Sequence, residues 1–322
     1  MTDTAWDDHN LVGDRGGNGP RGPRGADSRD IPGGRLTLVT GNPVTRSDIS
    51  AGSAQTIYYT PYMSSQILLY DTVASTWRFW LCPEISASLA GLTTAQPYDV
   101  FVYSNTGTLT LELVAWSSNS ARATAITLQD GIYVKSGDAS RRFVGTLQMQ
   151  ATGQCEDSVL RRYVFNFYNR VPRQLRRADP NASWIYTTAT WRQANAAVAG
   201  TANQVSVVNG SISGNGEMMV HLNLVVTAGA AGTGPPYAVH EVAFGVDSTT
   251  TVHADSVFAG LTGGVEAPVI AVMDHFPDIG KHDFVWLEKN NTTPSGGGNM
   301  VWIGTGSLTS GAVSGITGHV MI

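Results

Sequence analysis

From residue 36 onward the apolar positions alternate with period two or gather into short β-branched and aromatic runs, without the 3.6-residue period of an amphipathic helix. This pattern predicts strands over 36–40, 56–59, 66–70, 77–81, 99–103, 109–116, 131–134, 142–149 and 163–168. Further strands are predicted over 184–190, 204–208, 217–226, 239–246, 268–273, 283–287, 300–303 and 318–322. Between them lie GNP, SNTG, NGSISGNG, DSTT and SGGGN, whose glycine, proline and Asx residues favour turns. Strands spaced about 8 to 15 residues apart predict an all-β chain built of sandwiches or barrels. The two helical candidates are short, at 83–89 and 192–199. No internal repeat of about 20 to 50 residues is visible, which argues against a propeller or solenoid.

Residues 1–35 break this pattern. GDRGGNGPRGPRGADSRDIPGG has almost nothing to bury, so it predicts an extended arm. Gly19-Pro20-Arg21, Gly22-Pro23-Arg24 and Gly25-Ala26-Asp27 repeat with the collagen period. Three triplets are too few to hold a triple helix unless a trimeric body ties the strands together. The expected organisation is an arm at 1–35 that anchors to a partner, a first β domain at 36–137, and a second, jelly-roll-like domain at 138–322. Arg15, Pro20, Arg21, Pro23 and Arg24 are the arm's candidate anchoring residues.

Charge changes the picture in two ways. Charged residues are only 14% of the 322-residue chain, low for a globular protein, so much of the surface is expected to face neighbouring subunits. Of the 20 basic residues only Lys135, Lys281 and Lys289 are lysines, and arginine suits partly buried planar contacts. A net charge of −5 gives no global attraction to nucleic acid or an anionic membrane. No apolar run reaches the roughly 20 residues of a membrane helix. Cys82 and Cys155 lie outside any CxxC or Cys/His cluster, so they read as packed free thiols rather than zinc ligands.

Catalytic motifs are weak. Gly17–Gly22 matches GxGxxG as a string but lacks the flanking strand and helix, and Pro20 removes an amide. Neither a G-x-S-x-G elbow nor a Walker-type lysine is present. MDHFPDIGKHD brings Asp274, His275, Asp278 and His282 together in sequence, leaving open a polar loop, an ion site or a hydrolytic site. His221, His240 and His253 stand singly in strand contexts. No cofactor is expected. Trp80, Trp116, Trp184, Trp191, Trp286 and Trp302 could stack on sugars, but tryptophans within strands more commonly pack in cores. Paired glycosidase carboxylates cannot be picked out.

The most distinctive block is RRFVGTLQMQATGQCEDSVLRRYVFNFYNRVPRQLRRADPNASWIYTTATWRQAN. Its interleaved arginines and aromatics could serve single-stranded nucleic acid. Alternation instead puts Tyr163, Phe165 and Phe167 on one face of a strand buried on both sides, so these residues and Arg170 are expected to be structural or intersubunit. With TIYYTPYMSSQILLYD, YDVFVYSNTGTLTLELVAWSS, LQDGIYVKSG, IGKHDFVWLE and SGITGHVMI, the block closely resembles a family of tailed-bacteriophage virion proteins described as tail-fibre-like or structural. The resemblance spans about residues 36–322 and implies a non-enzymatic virion protein made in the host cytoplasm. The arm's triplets and the charge-poor composition then suggest a homotrimeric tail fibre or spike that meets host-surface glycan or protein. The alternatives are a capsid decoration or cement protein, a head fibre, and a polysaccharide depolymerase. No nucleic-acid partner and no membrane insertion are expected.

Overall fold

Period-two patterning becomes an all-β architecture in the computed structural model, which describes residues 33–197, 203–213, 217–231, 239–262, 266–290, 299–304 and 314–322. The first unit is built on one antiparallel sheet. Its strands, in spatial order, are Ala121–Arg122, Thr108–Ser118, Pro97–Asn105, Asp138–Ala151, Ile132–Lys135 and Ile126–Gln129. A smaller sheet of Gly34–Thr37, Thr56–Pro61 and Ile85–Ser88 and the hairpin Gln66–Asp71/Thr76–Leu81 help enclose a core that includes Ile57, Leu69, Val100, Val102, Leu147 and Met149.

The second unit is a jelly roll. Pro172–Ala178, Gly315–Met321, Val220–Ala231 and Ala267–His275 lie side by side in one sheet. Gln204–Asn209, Gly280–Asn290, Val239–Val246 and Leu261–Thr262 form the other. Numbered along the chain, these eight strands run 1-8-3-6 and 2-7-4-5 with antiparallel neighbours, as in a double Greek-key roll. One core between the sheets takes Leu222, Leu224, Val269 and Ile316 from the first and Val205, Phe244, Phe284 and Trp286 from the second.

The expected boundary at 137/138 falls inside a hairpin of the first sheet, where Lys135 pairs with Asp138. Asp138–Ala151 remains central to that sheet, pairing with Pro97–Asn105 and with the short strand Val164–Asn166. The change of core comes at this short strand. Val164 packs into the first core and Phe165 into the second, because successive side chains leave a strand on opposite faces. Gly145 makes the close approach possible, since a Cβ there would lie 2.1 Å from the Phe165 carbonyl oxygen.

Local expectations also shift. Residues 83–89 contain the strand Ile85–Ser88, not a helix; Ser88 pairs with Thr56 and Ile85 with Tyr59. The other helical candidate reduces to the strand Arg192–Gln193 and a single 3-10 turn at Ala194–Ala196. The strand expected over 163–168 is shorter, Val164–Asn166. Asn166 then turns its amide to the backbone of Gly34–Thr37, accepting from the Leu36 N–H at 2.6 Å and donating to the Leu36 carbonyl at 3.2 Å.

Phe165 is fully buried in the second core while its backbone pairs with the first sheet. Phe165→Ala is therefore expected to cost about 3–5 kcal/mol and to lower the urea midpoint of both units together. Separate transitions, with the first unit unchanged, would show that the shared strand does not couple them.

Candidate functional site

The distinctive block forms the junction between the units. Asp157 exchanges backbone hydrogen bonds with Ile49, at 2.9 and 3.0 Å, which ties it to the first unit. Its carboxylate accepts from Arg162 Nη1 and Arg173 Nη2, each at 2.9 Å. Arg162 also donates through Nε and Nη2 to the Gln174 carbonyl at 3.0 and 2.9 Å. Arg173 and Gln174 belong to the first strand of the jelly roll, so one carboxylate links both units. The side chains of Asp157, Arg162 and Arg173 are only 8, 4 and 9% exposed. Removing one partner would therefore leave charge uncompensated in a poorly solvated place.

Arg35 extends the junction from the opening strand. It donates to Pro43 O at 3.1 Å, to Ile322 O at 3.2 Å and to Asn169 O. Burial, with Arg173 nearby, pulls its pKa down to about 10, still leaving it cationic at neutral pH. A second link comes from Arg122, whose Nε meets Asp99 Oδ2 at 2.8 Å. Its Nη1 and Nη2 donate to Ser211 O and Gly210 O in the jelly roll, both at 2.8 Å. Thr146 completes the Asp99 shell at 2.7 Å.

The four residues singled out in the block have separate structural places. Tyr163 lies in the first core and Phe165 in the second, while Phe167 packs at the edge of the second. Tyr163 and Phe165 do not share a face because regular pairing begins only at Val164. Arg170 sits 4.8 Å from the Phe165 ring and 5.5 Å from Phe167, donates to Phe167 O at 3.3 Å and also bonds Glu217 O. The aromatic faces thus serve internal cation–π packing instead of an open stacking platform. The arm candidates Arg15, Pro20, Arg21, Pro23 and Arg24 lie outside the described residues.

The four metal candidates do not form one cluster. Asp274 and His275 are adjacent on a strand and therefore point to opposite faces. Asp274 meets His221 Nδ1 at 2.6 Å, and Asn223 bonds His221 Nε2 at 3.0 Å. His282 meets Asp247 through Nδ1 at 2.8 Å and the Asp278 carbonyl through Nε2 at 3.0 Å. His275 instead joins His253 and Asp255, with its Nδ1 2.7 Å from Asp255 Oδ2. The two rings lie 4.5 Å apart. Sequence reading places His253 singly in a strand context, whereas it lies just before a turn, and does not single out Asp255; their i, i+2 spacing beside a turn was the available signal. Burial and the neighbouring His275 hold His253 below the usual histidine range, and its hydrogen bond to His275 helps hold Asp255 below the usual carboxylate range.

Glu288 and His240 are titratable groups buried in the jelly roll. Glu288 accepts from Trp184 Nε1 at 2.6 Å, Arg192 Nε at 2.8 Å and the Asn195 N–H at 3.1 Å. Burial nevertheless pushes it up to about 7. His240, edge-on to Trp302 at 4.9 Å, is driven by burial down to about 4. Cys82 and Cys155 are buried free thiols; burial raises both pKa values, Cys82 to about 11, so neither is a ready thiolate nucleophile. No family model matches the sequence, and no curated protein aligns with it significantly.

Asp157→Ala leaves Arg162 and Arg173 without their shared carboxylate, and a loss of about 3–5 kcal/mol is expected in urea unfolding. A loss below about 1 kcal/mol would place the pair in the range of exposed bridges and refute its role as the junction.

His240 gives a pH signature. Its folded pKa lies below the unfolded value, so its contribution is retained above about 6.5 and lost as pH falls through about 4, up to about 3 kcal/mol. Glu288 works oppositely, because its raised pKa favours the fold as pH falls from about 7 toward 4.5. Comparing wild type with His240→Phe isolates the histidine. The variant should lose less stability between pH 6.5 and 4, and parallel profiles would show that His240 does not titrate this way.

Proposed function

We propose that this chain is a non-enzymatic structural protein of a tailed-phage particle, working as a homotrimeric tail-fibre or spike-like appendage. The observation that carries this reading is a jelly roll joined to a second β unit through buried charge networks and a shared strand. Such a body is suited to bearing load between an attachment point and an outer surface. In the proposed arrangement residues 1–35 attach to other virion proteins and the β body meets the host. This role rests on the sequence resemblance to virion proteins together with the fold, since jelly rolls also occur in lectins and cupins.

Two surface features support the proposal. The outer face of one jelly-roll sheet exposes Val225, Ile270 and Val272, with Val257 beside them at 67% exposure. Exposed apolar groups clustered on a sheet are suited to contact with another copy. A groove of about 350 Å³ in the first unit is lined in part by Tyr70, Asp71, Trp80, Ser104 and Ser140. Aromatic faces beside hydroxyl and carboxylate groups are suited to a sugar at the host surface.

Light scattering of the purified full chain is expected to give three times the 34.2 kDa chain mass. A stable monomer at micromolar concentration would overturn the trimer. Localisation in a particle reconstruction should put a few to a few tens of copies at the tail or a vertex, whereas hundreds in the shell would replace the appendage by a decoration protein.

A further inference from the structure

His253 and Asp255 lie in the turn before the strand Ser256–Ala259, and His275 ends the neighbouring strand Ala267–His275. Ser256 pairs with Met273, bringing the turn over the end of its neighbour. The His253 N–H donates to Phe244 O at 2.9 Å, and its carbonyl accepts from the Ser256 N–H at 3.0 Å. The backbone beneath one imidazole is therefore held. The other imidazole packs edge-on against Phe284, with ring centroids 5.9 Å apart.

This cluster differs from the two other His–Asp pairs in the second unit. At His221 and His282 both ring nitrogens have partners. Among the described residues, His275 uses Nδ1 with Asp255, and His253 Nδ1 accepts from the Asp255 N–H at 3.2 Å. The Nδ1 atoms of His253 and His275 lie 3.8 and 2.7 Å from the same Asp255 carboxylate oxygen, Oδ2. Candidate ligand atoms from all three side chains lie within 4.8 Å of one another.

We infer that His253, Asp255 and His275 form a binding site for a divalent transition-metal ion of the zinc class. Two imidazoles and one carboxylate suit such an ion, whereas calcium and magnesium prefer oxygen-rich shells. Ligands about 2.0–2.2 Å from a tetrahedral ion lie about 3.3–3.6 Å from one another. Binding would therefore draw the wider-spaced ligand atoms together and open the 2.7 Å contact between His275 Nδ1 and Asp255, changes that the 46%-exposed Asp255 side chain can supply. Water would complete the coordination. The site is independent of the proposed particle role and would tie the turn at 253–255 to the end of the 267–275 strand.

The test uses tag-free, chelator-treated full-length protein titrated with Zn²⁺ in a calorimeter and with Co²⁺ in a visible spectrometer. The expected result is one saturable Zn²⁺ site per chain and enhanced Co²⁺ absorption on entry into a low-coordinate nitrogen-containing site. Asp255→Asn and His253→Ala should weaken Zn²⁺ binding at least about tenfold, a loss seen even when residues that only orient a ligand are changed. His221→Ala should bind as wild type. Circular dichroism of each apo variant checks the fold, and Asp255→Asn, at an exposed position, retains the test if a histidine variant unfolds. No saturable Zn²⁺ binding, unchanged binding in folded Asp255→Asn, loss on His221→Ala, or preference for Ca²⁺ would each overturn the assignment.

Discussion

The structure depends on where the charge of Asp157 is neutralised. Its backbone belongs to the side of the molecule that pairs with Ile49, while Arg173 belongs to the first strand of the jelly roll. Arg162 connects the two by binding the carboxylate and the Gln174 carbonyl together. A hydrophobic contact in the same place could slide, whereas forked donors meeting a carboxylate and a carbonyl fix both distance and direction. The network's main contribution is therefore the relative placement of the two β units, because the desolvation of three charged groups consumes much of their attraction.

The remaining polar links use the same principle with different chemistry. Arg122 reaches from an edge of the first sheet to two carbonyls at 210–211, with Asp99 behind it. Asn166 imitates a strand, giving one donor and one acceptor to Leu36. Asn169 adds a bond to Gly34 O at 3.2 Å. These contacts satisfy backbone groups of the opening strand that its sheet partner leaves on the other side. The repeated asparagines of the FNFYN segment thus act as edge-strand clamps.

Much of the fold was legible because alternation reports which face of a strand is buried. The jelly-roll-like close of the chain could be anticipated from long alternating strands, but its partner order depends on contacts between distant segments. Pro172–Ala178 was missed because its inward positions are Arg173 and Leu175; a buried arginine looks polar when its distant carboxylate is unknown. Ile85–Ser88 was missed because four residues give too little period to separate strand from helix. At the histidines, proximity in sequence misled: His275 leaves Asp274 on the opposite face and meets His253 and Asp255 across a turn.

The placement of Gly34–Thr37 has a mechanical consequence. Tension entering at Gly33 would pass into a strand paired with Thr56–Pro61 on one side and gripped by Asn166 and Asn169 on the other. Arg35 adds a route to Ile322, at the end of the last jelly-roll strand segment. A pull along this strand would load several lateral bonds in shear instead of opening them one after another. The grip on the opening strand therefore spreads force across both β units before either can peel away.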